Sequence, residues 1–183
     1  MPPAVVEAAI ATSRRRMATE TLDLLQFHWW DYADRRYFDA LAHLADLRDA
    51  GAIRHLALTN FDTERLAGIL DHGIRVVSNQ IQFSLIDRRP EVRMAPFCRE
   101  RGVHLLAYGT VCGGLLSERY LNQPEPRGSA LDTASLQKYS AWWTPGVAGG
   151  CSRSCSRRST MWRRGTPWAL RRWRSAGCST VPQ

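Results

Sequence analysis

Along residues 1–140, hydrophobic side chains switch repeatedly between helical spacing and short apolar runs, a rhythm that few folds accommodate. "AVVEAAIATSRRRM" has apolar positions at helical spacing, with Arg14, Arg15 and Arg16 near its end, where cations complement the helix dipole. "LDLLQFHW" is a short apolar run that predicts a buried strand, and "RYFDALAHLADLRDAG" predicts an amphipathic helix stopped by Gly51. A strand follows in "IRHLALTNF", then a helix in "TERLAGILDHG" with Asp62 or Thr63 as its cap and Gly73 as its stop. "RVVSNQIQFS" predicts a third strand, "PEVRMAPFCRERG" a helix despite Pro96, and "VHLLAYGT" a fourth strand. The stretch from "VCGGLLSERYLN" onward predicts a long loop with a short helix.

Strands and helices that alternate at intervals of roughly 20 to 32 residues point to right-handed βαβ units and a parallel sheet. Two architectures fit, a doubly wound sheet and a piece of a (β/α)8 barrel. The first calls for a Gly-rich phosphate turn after the first strand, and the sequence has none there. A barrel places its chemistry at the carboxyl ends of its strands. Here the strands end in His28, Asn60, Gln80 and Tyr108, all polar or aromatic.

These strand ends resemble the aldo-keto reductase family. The resemblance rests on "LDLLQFHWWDY", "GAIRHLALTNFD", "VVSNQIQFSLIDRRP" and "GVHLLAYGTVCGGLLSERYL", which follow one another in the family's order and spacing across residues 4–140. It implies an incomplete (β/α)8 TIM barrel made of strands four to seven with their helices. It also implies a parent activity, the NAD(P)H-dependent reduction of an aldehyde or ketone. His28 matches the family's active-site histidine, which hydrogen-bonds the substrate carbonyl; a donor fixed at a strand end loses little entropy in orienting that carbonyl. Asn60 and Gln80 match the side chains that bind the nicotinamide carboxamide, amide to amide. Thr59 stands where the family more often has serine, and keeps the hydroxyl. Tyr108 matches the aromatic that stacks on the nicotinamide ring. Trp29 and Trp30 fit either a substrate pocket or ordinary packing, and His43, His55, His72 and His104 lack metal-ligand spacing.

The same resemblance implies that part of the catalytic set is missing. The family's tyrosine acid and its supporting aspartate and lysine come from strands ahead of "AVVEAAI", and no residue before Met17 supplies them. Tyr32 and Tyr37 follow the fourth strand of the family's barrel, on a different element. The family's eighth strand, whose loop grips the adenosine phosphate of NADP, has no counterpart. The chain is therefore expected to be inactive alone, with cofactor binding in doubt. An open half barrel that leaves about 1,000 Å² of apolar surface in water forfeits roughly 25 kcal/mol. That exceeds the typical domain stability of about 5–15 kcal/mol, so non-specific association through exposed barrel faces is expected.

Charge separates the last quarter from the rest. Residues 141–183 contain eight Arg and no Lys, Asp or Glu, which accounts for the whole formal charge of +8. They also hold five of the seven Trp and three of the five Cys. One reading makes this stretch a binding module in which Arg pairs and Trp162, Trp168 and Trp173 hold nucleic acid. A frameshift explains it better. With G or C at most wobble positions, the codons from Trp142 onward read one base over as "VDAWGGWGLFQELLAALDDVAARHAVG" and then "VATVAVGWVLDRPA". The first string has helical apolar spacing and a Gly stop. The expected organisation is thus a partial barrel over residues 1–140 and a non-native, disordered tail over residues 141–183, with nucleic acid not expected as a partner. No apolar run is long enough for a membrane span, and the start has the wrong charge order for a secretory signal. Cys98 and Cys112 sit in apolar surroundings and are expected to be buried, reduced thiols in a cytoplasmic chain.

Overall fold

The computed structural model describes residues 2–85, 87–120 and 126–141. The expectations for the tail from residue 142 on, its frameshift, tryptophans and cysteines included, lie outside the described residues. The chain divides into two compact units, the first being Met1–Ile81 with Arg93–Leu106 and the second Gln82–Val92 with Ala107–Gln183.

The first unit follows the alternation read from the sequence. Its elements are α1 (Pro3–Met17), β1 (Leu22–His28), α2 (Tyr37–Asp49), β2 (Ile53–Thr59), α3 (Thr63–Asp71), most of β3 (Ser78–Gln82), α4 (Met94–Arg101) and most of β4 (His104–Tyr108). The strands form a parallel sheet in the order β1-β2-β3-β4. Helix α2 packs on β2, and α1 packs on α2.

Local chemistry sets several boundaries. Asp62 caps α3, its Oδ1 accepting the Arg65 amide at 2.8 Å, so the cap is Asp62 and not Thr63. Helix α4 starts at Met94, later than expected, because Arg89–Glu91 forms a separate 3-10 turn. Pro96 is tolerated because it is the third residue of α4, where an amide has no intrahelical partner to lose. Strand β3 starts at Ser78; before it, the Val77 amide already donates to the Leu56 carbonyl at 2.8 Å.

Strand alternation gives the sheet two unlike faces. One carries Leu56, Leu58 and Asn79, all at most 1% exposed. These belong to the core with Leu41, Ile53, Phe61, Leu66 and Ile69. The other face carries Leu24, which is 44% exposed, together with exposed Gln26 and His55. At its centre only small residues, Ala57 and Ser78, are buried.

The second unit is less regular. Two 3-10 turns, Cys112–Gly114 and Glu118–Tyr120, follow β4, and α5 (Ala134–Ala141) lies within the stretch read as loop and short helix. Its core is Cys112, Leu115, Tyr120, Leu136 and Tyr139, with Leu116 and Leu131 packed against it.

Candidate functional site

His28 and Tyr108 end β1 and β4, and Thr59 ends β2 with Asn60 one residue beyond it. Gln80, by contrast, is the third residue of β3, which runs on to Gln82 because its pairing continues past the expected end. The backbone register relates three of these candidates directly. His28 pairs with Thr59 across β1 and β2, and Thr59 pairs with Gln80 across β2 and β3. In-register residues of parallel strands point to the same face, so His28, Thr59 and Gln80 form one row on the open face. All three are half-buried. This is an arrangement of an imidazole, a hydroxyl and a primary amide on adjacent strands, at a spacing of roughly 5 Å per strand. It suits a flat, polar group that accepts from one side and donates to the other.

Asn60 follows Thr59 directly and turns the chain out of the sheet. Its φ of +62° lies in the left-handed region, which asparagine enters more readily than most side chains. The turn is tied down on several sides. The Asn60 amide donates to the Gln80 carbonyl at 2.8 Å. The Tyr32 hydroxyl donates to the carbonyls of Thr59, at 3.3 Å, and Asn60, at 3.0 Å. The Asn79 Nδ2 donates to the Phe61 carbonyl at 2.8 Å. Tyr32 and Asn79 were not singled out for this purpose by their sequence positions. Strand alternation beside Gln80 was the only available signal for Asn79, since it places that residue on the opposite, buried face.

His28 also meets Trp30, edge to face, with ring centroids 4.3 Å apart. Trp30 is 87% exposed. Trp29 packs instead against Phe27 and Tyr37 and donates its indole N–H to the Asp31 and Asp34 carbonyls. Of the two tryptophans, Trp29 therefore has the packing role. Nearby, the Arg36 guanidinium holds the Asp34 carboxyl below the usual carboxylate range.

The fifth candidate, Tyr108, belongs to the second unit. It ends β4, its carbonyl accepts from the Phe83 amide at 3.3 Å, and the Lys138 ammonium lies 5.4 Å from its ring centroid. In the same unit Asp87, 3% exposed, forms a two-pronged pair with Arg89, both bonds at 2.8 Å, which raises the Arg89 pKa. Cys98 and Cys112 are both free and buried. Burial pushes the Cys98 thiol up, and pushes the Cys112 thiol up to about 12. Among the described residues no group of three His, Cys, Asp or Glu is arranged to hold a metal ion. No described helix is long and apolar enough to cross a membrane.

Comparison with known proteins adds a family. The model of the Aldo/keto reductase family matches residues 1–159. "Protein tas" of Escherichia coli (strain K12) is 32% identical over 145 residues, covering 68% of this chain and 42% of that protein. The NADH-specific methylglyoxal reductase of the same organism is 24% identical over 142 residues, covering 75% of this chain and 43% of the relative. Among solved structures, the glycerol dehydrogenase AKR11B4 of Gluconobacter oxydans superposes with a TM-score of 0.61 at 26% identity, covering 75% of this chain and 43% of that one. The chain thus spans less than half the length of these relatives.

Proposed function

Since the chain belongs to the aldo/keto reductase family, we propose that it carries the substrate-orienting and nicotinamide-binding side of a carbonyl reductase site. The observation that carries this reading is the single row of His28, Thr59 and Gln80 on one face of the sheet. A relative named as an NADH-specific methylglyoxal reductase supports a small aldehyde or ketone as the substrate class and a nicotinamide dinucleotide, NAD or NADP, as cofactor.

In this reading the residues fit the cofactor by donor set. Asn60 and Gln80 each offer an amide oxygen and an amide N–H, which match the N–H and C=O of a carboxamide. The Thr59 hydroxyl adds a donor between His28 and Gln80. For Tyr108, in the second unit, the family resemblance alone gives the role of the ring that stacks on the nicotinamide. When bound, that cofactor supplies the hydride. His28 donates a hydrogen bond to the substrate carbonyl oxygen, orienting the carbonyl and stabilising negative charge on that oxygen. Trp30 flanks the substrate side of His28.

Residues 1–140 are then a partial barrel, strands four to seven of the family's eight. In this reading the chain by itself turns over no substrate at a substantial rate. The parent activity acts on small carbonyl compounds in the cytoplasm, with neither membrane nor nucleic acid as partner. Two measurements test this. NADPH oxidation with a simple aldehyde is expected to stay at background; robust turnover that disappears in His28→Ala would show that the catalytic set is complete. NADPH titration, followed by tryptophan fluorescence, is expected to give weak binding that Gln80→Leu weakens further. Equal binding by the two chains would remove the row as the nicotinamide site.

A further inference from the structure

The Asn60 turn is held by groups that the reaction itself does not use. Three successive carbonyls, of Thr59, Asn60 and Phe61, each accept a hydrogen bond from a side chain outside the turn. The carbonyls of Thr59 and Asn60 share the one hydroxyl proton of Tyr32, which lies between β1 and α2, and the Phe61 carbonyl accepts from Asn79 on β3. Left-handed φ at a non-glycine residue costs roughly 1–2 kcal/mol, so such a turn persists only where its surroundings over-determine it. Asn79 is fully buried, and its Oδ1 has no hydrogen-bond partner among the described residues. A buried amide with an unpaired acceptor is a poor choice for packing alone, where leucine would serve without desolvating a polar atom. Its Nδ2 bond to Phe61 is the compensating gain.

We propose that Tyr32 and Asn79 are positioning residues: they clamp the three carbonyls of the turn, keeping Asn60 in its left-handed conformation beside Gln80 so that both amides meet one carboxamide. This inference rests on the nicotinamide reading of Asn60 and Gln80. Neither Tyr32 nor Asn79 touches the cofactor. Their effect is on recognition of the carboxamide, and it is separable from general stability.

The test compares binding of NADPH with that of its 3-acetylpyridine analogue, in which a methyl group replaces the carboxamide NH2. The wild-type chain is expected to prefer NADPH, because only the carboxamide donates to the side-chain oxygens of Asn60 and Gln80. Tyr32→Phe removes a hydroxyl but keeps the ring that packs edge to face on Phe61 and under Arg65. It is expected to narrow the preference by about threefold to tenfold, the loss of one well-placed hydrogen bond. Hydrogen exchange of the Asn60 amide should quicken by a similar factor while the amides of β1 and α2 keep their rates. A merely structural role would weaken both cofactors equally and leave the preference intact. Asn79→Ala should act in the same direction; because that site is fully buried, the decision rests on Tyr32→Phe if the alanine variant does not fold. Unchanged preference and unchanged exchange in Tyr32→Phe overturn the clamp. A wild-type chain that binds neither cofactor, or does not distinguish them, overturns the nicotinamide reading instead. Exchange that still quickens in that case leaves the clamp a structural device and ends its positioning role.

Discussion

In the first unit, backbone register carries His28, Thr59 and Gln80 into one row, and the side chains on the opposite face of the sheet are buried in the core. In the second, Tyr108 ends a strand that runs directly into turns, with positive φ at Gly109, Cys112, Gly113 and Gly114. The first unit fixes its candidates by repeated hydrogen bonds between strands, so that one side chain more or less leaves their spacing unchanged. The second fixes its candidate by particular side chains meeting particular backbone atoms, so that small changes have local consequences. Placing a functional group on a sheet makes it robust; placing it on a turn makes it adjustable.

The sharpest way to break the first unit is to remove the ring beneath the row. Phe61 is 1% exposed and meets Phe27, Tyr32 and Tyr37 at centroid distances of 6.2, 5.2 and 5.5 Å. Phe61→Ala is expected to cost about 3–5 kcal/mol in urea unfolding, from lost transfer energy and the cavity left behind. A cost under 1 kcal/mol would mean that the aromatic cluster is not the support of the row.

The second unit should respond to alkali. The Cys112 thiol has a pKa pushed up by burial from 9.0 to about 12. Between those values the unfolded chain loses the thiol proton while the folded chain keeps it. The contribution is therefore fully present below pH 9.0 and is lost as pH rises towards 12, with a span on the order of a few kcal/mol. Cys112→Ala lacks this dependence, so the stability gap between wild type and variant should shrink from pH 8 to pH 11. Ellman's reagent should leave Cys98 and Cys112 unmodified in the folded chain at pH 8, and rapid modification of Cys112 would contradict its burial.

The order of elements in the first unit was legible because hydrophobic period reports which face of an element is buried, and these elements bury one face each. The cap of α3 was legible to within two residues, Asp62 or Thr63, for a local reason, and the carboxylate that answers an amide three residues away decides for Asp62. The register of His28, Thr59 and Gln80 was not legible. Strand pairing is set by tertiary contacts, and a slip of one residue would send each side chain to the opposite face. The residues of the row were therefore visible as candidates before their alignment was. The clamp on Asn60 was hidden for the same reason, because Tyr32 reaches Asn60 across 28 positions of sequence. The limits of α5 were equally obscure, although Leu136 and Tyr139, three apart, form its buried side.

Glycine positions sharpen the contrast at a smaller scale. Gly109 has φ +70°, and a Cβ there would fall onto the Tyr139 hydroxyl. Gly109→Ala is expected to cost about 2 kcal/mol, combining left-handed strain with displacement of a core tyrosine. In the first unit Gly51, at φ +84°, has nothing within 4 Å of such a Cβ. Gly51→Ala should therefore cost only the strain, about 1 kcal/mol. Equal costs at the two positions would show that Tyr139 yields freely and that the second unit is looser than its buried core implies.

The smallest effects come from the helix caps, and they compare the units most directly because the chemistry is nearly matched. In α3 the Asp62 carboxylate accepts the Arg65 amide at 2.8 Å; in α5 the Thr133 hydroxyl accepts the Leu136 amide at 3.1 Å. Replacing either by alanine leaves one amide at a helix start without its acceptor, a loss of about 1 kcal/mol. The carboxylate also complements the helix dipole and pairs through Oδ2 with the Arg65 guanidinium, which together add a few tenths of a kcal/mol at an exposed site and are screened by salt. Asp62→Ala should therefore cost slightly more than Thr133→Ala at low ionic strength, and the difference should close in molar salt. Amide exchange can read each loss where it falls, on α3 for the first variant and on α5 for the second. If Asp62→Ala also speeds exchange of the Asn60 amide, the cap and the clamp are parts of one cooperative loop. If exchange quickens only within α3, Tyr32 and Asn79 hold the turn without help from the helix that follows it.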